Sequence, residues 1–514
     1  MDVITFASLS EGFAILSDPW IYVLIVFGSL VGLVFGATPG LTAPAAIALI
    51  LPITYSMGIH ASLALLLAVY VSGYFSGSIP AILINTPGTP GNAATTLEGY
   101  PMARAGRANE ALTIAVISSF IGVGISVLLL LTVAPLMAKL ALTFTSVEYF
   151  ALAVVGILCV AGISQGSLVK GLAAAFFGIL VSTVGIDGTS GVPRFTFGLP
   201  ELLGGIAIIP ALIGLFAISE MLVQSRRDTK AVEALPVDSG GAILPIIAMH
   251  IKHRWIALKS AIMGTFIGLL PGTGPAIASW IAYGEAVRGK KPGDQFGKGE
   301  VKGLIACEAS NNAVIGGAMI PLLTLGIPGD PVTAILIGAM MIQGVEPGPF
   351  FLRDHSGLFV AIVLMLMLAN VAMVATFLPL RRLAAKILKV PYHLIVPIVV
   401  VVAATAAYAV SYSTFDILLL GVFGFIGFMM MTNGFPVAAV VLGIVLGPIL
   451  EKNFRNALIA NNMDVTVFVT RPISGLIFFL LAAAIVLMQV QKVRAGRAQR
   501  RINDENAQTR QSQP

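Results

Sequence analysis

The chain has 514 residues, of which 57% are hydrophobic and 11% charged, with a formal net charge of +6. Soluble domains carry about 25% charged residues, so a water-exposed surface could not be covered here and the apolar surplus must face lipid. The basic residues sit in short loops rather than on one face, which excludes a nucleic-acid-binding role.

In chain order, the N-terminal MDVITFASLSEGF lacks a basic leader, so no cleavable signal peptide is expected and the first span, from about Trp20 to Phe35, is expected to act as the insertion signal. No Asp, Glu, Lys or Arg occurs from Trp20 to Leu97. Further uncharged runs cover Ala111–Ala138, Tyr149–Val169, Leu202–Ser219, His355–Leu380, Pro391–Phe415, Ile417–Leu450 and Ile473–Gln491. These runs are apolar at every position, whereas lipid-spanning strands would alternate. At about 20 residues per crossing, they predict an all-α polytopic membrane protein with roughly ten to twelve transmembrane helices.

Cys159 and Cys307 both lie in apolar segments and read as small packing residues, not a disulfide framework. Arg226, Arg227 and Lys230 in one loop, and Lys492, Arg494, Arg497, Arg500 and Arg501 in the tail, place both segments on the cytoplasmic side. The expected organisation is a first transmembrane repeat over 1–223 and a polar cytoplasmic linker over 224–242. A second repeat over 243–460, a terminal transmembrane helix over 461–491 and a basic cytoplasmic tail over 492–514 follow.

The halves share a signature. Gly32-x3-Gly36-x2-Pro39-Gly40 matches Gly264-x3-Gly268-x2-Pro271-Gly272, and Ile79-Pro80-x6-Pro87-Gly88-x-Pro90 matches Ile320-Pro321-x6-Pro328-Gly329-x-Pro331. Two blocks in the same order indicate an internal duplication. Proline removes a donor and glycine lets the chain turn, so each Pro-Gly breaks a helix. Freed backbone groups in lipid must be buried in protein or line a watery cavity. Paired interrupted helices are the sequence mark of a transporter binding site; simple kinks and tight interhelical packing are the competing explanation, since Gly and Pro are enriched in membrane helices generally.

Polar residues gather at these breaks. The substrate-binding candidates are Thr38, Pro39 and Gly40, then Asn85, Thr86, Pro87, Gly88, Thr89 and Pro90 in the first half. In the second they are Pro271, Gly272 and Thr273, then Gly326, Pro328, Gly329 and Asp330. The cation-binding candidates are Asn85, Asn311, Asn312 and Thr324. Half-helix N-termini suit an anion, and unwound carbonyls with Asn or Thr oxygens suit sodium. Glu308, in LIACEASNNA, is either an intramembrane functional acid or a wetted helix-end residue near Lys298 and Lys302. Glu98, Arg104 and Arg107 are expected in a solvated loop.

His60, His250, His253, His355 and His393 show no metal-ligand spacing, there is no Walker-type phosphate loop, and no Ser–His or paired-Asp protease arrangement stands out. An enzyme is therefore not expected, nor is a cofactor; the alternative is an anion channel or another ion-coupled organic-anion permease that works without a binding protein.

GATPGL at 36–41, GSIPAILINTPGTPGNAATTLEGYPMARAGRANEAL at 77–112, FGKGEVKG at 296–303, EASNNAVIGGAMIPLLTLGIPGDP at 308–331 and QGVEPGP at 343–349 resemble the large membrane subunit, TctA type, of tripartite tricarboxylate transporters. The resemblance runs from about residue 20 to about 490. It implies a bacterial inner-membrane subunit working with a small four-helix membrane subunit and a periplasmic solute-binding protein. It also implies uptake of citrate or related organic carboxylates driven by sodium or protons, with the tip motifs as the site.

Overall fold

A computed structural model describes residues 5–163, 167–226, 234–238, 243–272, 274–388 and 392–483. Thr273, most of the 224–242 linker, the end of the terminal helix and the basic tail lie outside the described residues.

The fold is helical. In the first half α1 (Phe6–Ile15) precedes α2 (Pro19–Ala37), which Asp18 caps through the Trp20 N–H. The first Pro-Gly break follows, then α3 (Ala43–Ile50), α4 (Ile59–Ser76) and α5 (Ser78–Ile84). A loop over 85–89 leads to α6 (Thr95–Arg104) and the long α7 (Ala108–Ala141). Next come α8 (Ser146–Ile163), α9 (Leu168–Ser182), α10 (Ile208–Ile213) and α11 (Ser219–Ser225), with the two last joined by a π-helical turn. Gly185–Ile186 and Pro193–Arg194 form a two-residue hairpin ladder.

The second half opens with α12 (Ile243–Lys252) and α13 (Arg254–Gly268), then the break at Pro271-Gly272. After it come α14 (Gly274–Arg288), α15 (Val301–Leu325), α16 (Pro331–Ile342), the single turn α17 (Phe351–Asp354) and α18 (Ser356–Leu380). The turn α19 (Ala384–Ile387), α20 (Tyr392–Ser411), α21 (Thr414–Thr432), α22 (Val437–Ala460) and the turn α23 (Val467–Thr470) follow, and an apolar helix over Pro472–Ala483 runs to the end of the described residues.

Among the described residues, eight helices are long and apolar enough to cross a membrane. The ten to twelve expected from apolar runs also take in shorter apolar helices and a terminal segment whose end lies outside the described residues. Ala43–Ser56, Ser146–Cys159, Leu168–Ser182 and Pro331–Ile342 are apolar but short. The result is an all-α polytopic membrane protein.

Two compact units divide the described chain: residues 1–143 with 156–448, and residues 144–155 with 449–514. In the smaller unit Phe150 packs on Phe454, Phe468 and Phe478, and Arg471 approaches Glu148 at 3.6 Å.

In the larger unit the centre is α15, buried from Gly303 to Leu325. It packs against α7, α13 and α14, while α4 packs against α2 and α18. Small residues set these approaches, as they do where helices cannot rely on water to press them together. A methyl placed on Gly32 would lie 2.7 Å from the Val69 carbonyl of α4, and one on Gly268 would lie 2.7 Å from the Val314 carbonyl of α15. The α2–α4 and α13–α15 pairs are therefore closed by the same glycines of the repeated signature.

Gly316 brings α15 onto α7: a methyl there would sit 2.5 Å from the Ser126 carbonyl carbon, whereas nothing lies within 4 Å of one on Gly338. Gly316→Ala should cost about 1–3 kcal/mol through overpacking. Gly338→Ala should be neutral or stabilising by up to about 1 kcal/mol from helix propensity. Thermal melting of the two variants in detergent checks this, and equal melting temperatures would contradict the packing.

Candidate functional site

The two loops of matching spacing close their helices in the same way. Asn85 ends α5 at φ 56°, and Gly326 ends α15 at φ 70°, both left-handed. Glycine reaches that conformation freely and asparagine at small cost. The next residue in each case turns its N–H back onto the proline of its own helix: Thr86 N–H to the Pro80 carbonyl at 3.3 Å, and Ile327 N–H to the Pro321 carbonyl at 3.2 Å. At the tips, a methyl on Gly88 would meet the Gly36 carbonyl and lie 2.8 Å from Gly77 Cα. One on Gly329 would lie 2.6 Å from both the Gly268 carbonyl and Ala318 Cα. Each tip therefore sits on the end of the first broken helix of its own half, with room for glycine alone.

The tips also differ. In the first, Asn85 and Pro90 are exposed, Thr86 and Pro87 are half-buried, and Gly88 and Thr89 are buried. In the second, every residue from Gly326 to Asp330 is buried. One tip is open and its counterpart is sealed.

The preceding breaks are half-exposed. Gly40 at φ 86° and Gly272 at φ 77° occupy matching places. Gly272 donates its N–H to the Gly329 carbonyl at 2.8 Å, joining the second break to the second tip. Pro39 and Pro271 are half-buried, and Thr38 is buried with its hydroxyl donating to the Val34 carbonyl of its own helix. Thr324 likewise donates to the Ile320 carbonyl. Thr273 is outside the described residues.

Helices from the opposite half hold each tip. Tyr70 and Tyr74, one turn apart on α4, both donate to Asp330 Oδ2 at 2.5 Å. Asp330 Oδ1 accepts from the Thr333 N–H and hydroxyl, each at 2.8 Å, capping α16. At the first tip, Thr89 Oγ1 donates to Asn92 Oδ1 at 2.6 Å, and Asn92 Nδ2 donates to Glu308 Oε1 of α15 at 3.3 Å. Thr95 and Ser119 donate to the same carboxylate.

The asparagine candidates separate. Asn312 lies one turn beyond Glu308 and donates to Ser119 Oγ at 2.7 Å, so it belongs to the Glu308 cluster. Asn311 donates to the Tyr74 carbonyl at 3.3 Å, with its Oδ1 beside Gly91 and the first tip. Asn85 is exposed and makes no hydrogen bond to either among the described residues, and Thr324 is turned onto its own helix. The four thus do not form one cluster.

Two acids differ from their sequence reading. Glu98 is fully buried, not in a solvated loop: it accepts from the Gly297, Gly299 and Glu300 N–H groups and the Tyr283 hydroxyl, so α6 anchors the 297–300 loop. Glu308 is fully buried about two turns inside α15, not at a wetted helix end. Tyr70, Tyr74, Thr95 and Ser119 were not singled out in the sequence. A tyrosine pair four residues apart in an uncharged run was the available signal.

Residues 22–442 match the Tripartite tricarboxylate transporter TctA family. The chain is 35% identical over 510 residues to an uncharacterized 52.8 kDa protein in the TAR-I ttuC' 3'region of Agrobacterium vitis, covering 97% of this chain and 98% of that protein. It is 36% identical over 242 residues to an uncharacterized protein in the TAR-II ttuC' 3'region of the same organism, covering 47% of this chain and all of that protein. No solved structure matches. A family match over most of the chain and a full-length relative place this protein in the TctA family of tripartite tricarboxylate transporters.

Proposed function

We propose that this chain is the translocating subunit of a secondary transporter that imports tricarboxylates or related organic carboxylates, driven by a sodium or proton gradient. The observation that carries this reading is the pair of unwound tips set in an otherwise apolar fold, one open and one sealed. A passive pore has no use for a matched pair of sites in opposite states; a carrier that exposes its solute to one side at a time does.

The open tip supplies the binding chemistry. Asn85, Thr86, Pro87, Gly88, Thr89 and Pro90 offer an amide, two hydroxyls and unwound backbone. Thr38, Pro39, Gly40, Pro271 and Gly272 form the adjoining breaks, and Thr273, outside the described residues, is assigned with them. Gly326, Pro328, Gly329 and Asp330 form the matching site, sealed in this conformation. A carboxylate held by neutral N–H and hydroxyl donors is held without a fixed cationic partner, which suits release on the far side. TctA-family proteins work in tripartite systems. The partners proposed here are a periplasmic solute-binding protein and a small four-helix membrane subunit, in a bacterial inner membrane. The linker and basic tail are proposed to be cytoplasmic.

The test is uptake by proteoliposomes containing both membrane subunits, supplied with binding protein and labelled citrate or another carboxylate that the binding protein retains. Accumulation above the external concentration that collapses with the sodium or proton gradient is expected. Flux that only equilibrates, indifferent to both gradients, would mean a channel. Gly88→Leu and Gly329→Leu should each abolish uptake while leaving the protein in the membrane, and normal transport by both would remove the tips from the site.

A further inference from the structure

We propose that Glu308 is the binding position of the coupling cation, a monovalent ion held between the carboxylate and the side chains of Thr95, Ser119 and Asn312. The inference deepens the transporter reading and rests on it for the word coupling; the ion site itself stands on geometry.

Among the described residues, the larger unit contains three fully buried carboxylates whose surroundings differ in kind. Glu98 accepts three backbone N–H groups and a tyrosine hydroxyl. Asp330 caps a helix N-terminus, where the backbone presents positive charge, and takes two tyrosine hydroxyls besides. Both have backbone N–H groups fixed upon them. Glu308 has neither advantage. It lies inside a helix rather than at its end, and its partners are the Asn92 amide and the Thr95 and Ser119 hydroxyls. None of these is cationic and none is a backbone N–H. A buried carboxylate so placed is costly unless it takes a proton or a metal cation.

The partners are of the type that serves such an ion. Threonine and serine hydroxyls rotate, donating to a carboxylate or turning lone pairs toward a cation or a carboxyl proton. Asn312 is fully buried, its Nδ2 donates to Ser119 Oγ and the Glu308 carbonyl, and its Oδ1 has no hydrogen-bond partner among the described residues. That orphaned oxygen, on the residue one turn from Glu308, is a second and independent sign of a missing ligand.

Several ionisable groups on the elements packed against α15 are engaged elsewhere. Glu98 of α6 bonds Tyr283 of α14, and Tyr70 and Tyr74 of α4 hold Asp330 before α16. Lys259 of α13 pairs with Glu285 of α14, Arg107 with Glu110 of α7, and Arg353 with Asp354 of α17. Cys307, the preceding residue, contacts Thr95 at 3.7 Å and donates to the Leu304 carbonyl.

The site is wired to the open tip. Glu308 binds Asn92, and Asn92 binds Thr89, so two hydrogen bonds separate the carboxylate from the loop proposed to hold the solute. Charging or neutralising Glu308 changes what Asn92 can donate to, and through it the position of Thr89.

Two measurements on the full-length protein in lipid bilayers test this without a substrate. In the proton arm, infrared difference spectra across pH should show a protonated carboxyl band that Glu308→Gln removes. In the sodium arm, sodium chloride should raise the melting temperature relative to choline chloride, and Glu308→Gln should abolish the rise. One arm positive and lost in the variant supports the site and names the ion. Neither arm positive in the unaltered protein, or a signal that persists in Glu308→Gln, overturns it. Should Glu308→Gln fail to fold, Ser119→Ala should move the ion-dependence midpoint about tenfold, because one donor to a charged group is lost; an unmoved midpoint also overturns the site. Because neither arm uses transport, a positive ion signal without concentrative uptake would sink the transporter reading alone.

Discussion

Backbone that has left its helix must find partners inside a protein whose surroundings offer no water. Four Pro-Gly breaks create that problem here, and the helix packing is organised around solving it. The tip glycines fit against the ends of α2 and α13 because nothing larger would. Their N–H and carbonyl groups are taken up locally, as in Gly88 N–H to the Gly77 carbonyl at 3.0 Å and Gly272 N–H to the Gly329 carbonyl. Small residues on α2 and α13 then bring α4 and α15 within reach. The same substitution of glycine by any larger residue that would disturb packing would also displace the site.

Each half polices the other's tip. α4 of the first half holds Asp330 through two tyrosines, and α15 of the second half holds Asn92 and Thr95 through Glu308. The carboxylate lies on the tip in one case and on the supporting helix in the other. That exchange of position breaks the equivalence of the halves. Asp330 is held by two tyrosine hydroxyls and caps a helix N-terminus, and its tip is buried. Glu308 is supported by rotatable hydroxyls and an amide, and the tip it serves is open. The first tip thus rests on donors that can rotate, and the second on a capped helix end.

The membrane class, the helical fold and the family were legible in the sequence because they depend on long runs and on spaced motifs. The Gly and Pro positions were legible for the same reason: a break in an apolar run has only a few physical explanations. Span count was less so, since a run such as Trp20–Leu97 is apolar throughout while the chain within it bends at Pro39-Gly40 and again at Gly77. The opposite-half contacts were invisible. Tyr70 and Asp330 lie 260 residues apart, and nothing local in either segment specifies the other. Glu98 misled for a related reason: a glutamate followed by two arginines reads as a wet loop, and only the backbone N–H groups contributed by residues 297–300 make its burial possible.

The central claim is that unwound backbone at the tips, rather than any fixed charge, grips the solute. An experimental map of the complex with its binding protein and a retained carboxylate tests it most directly. The account predicts ligand density within hydrogen-bonding reach of the 85–90 backbone. Density lodged elsewhere, or prolines that only bend unbroken helices packed in lipid, would contradict it.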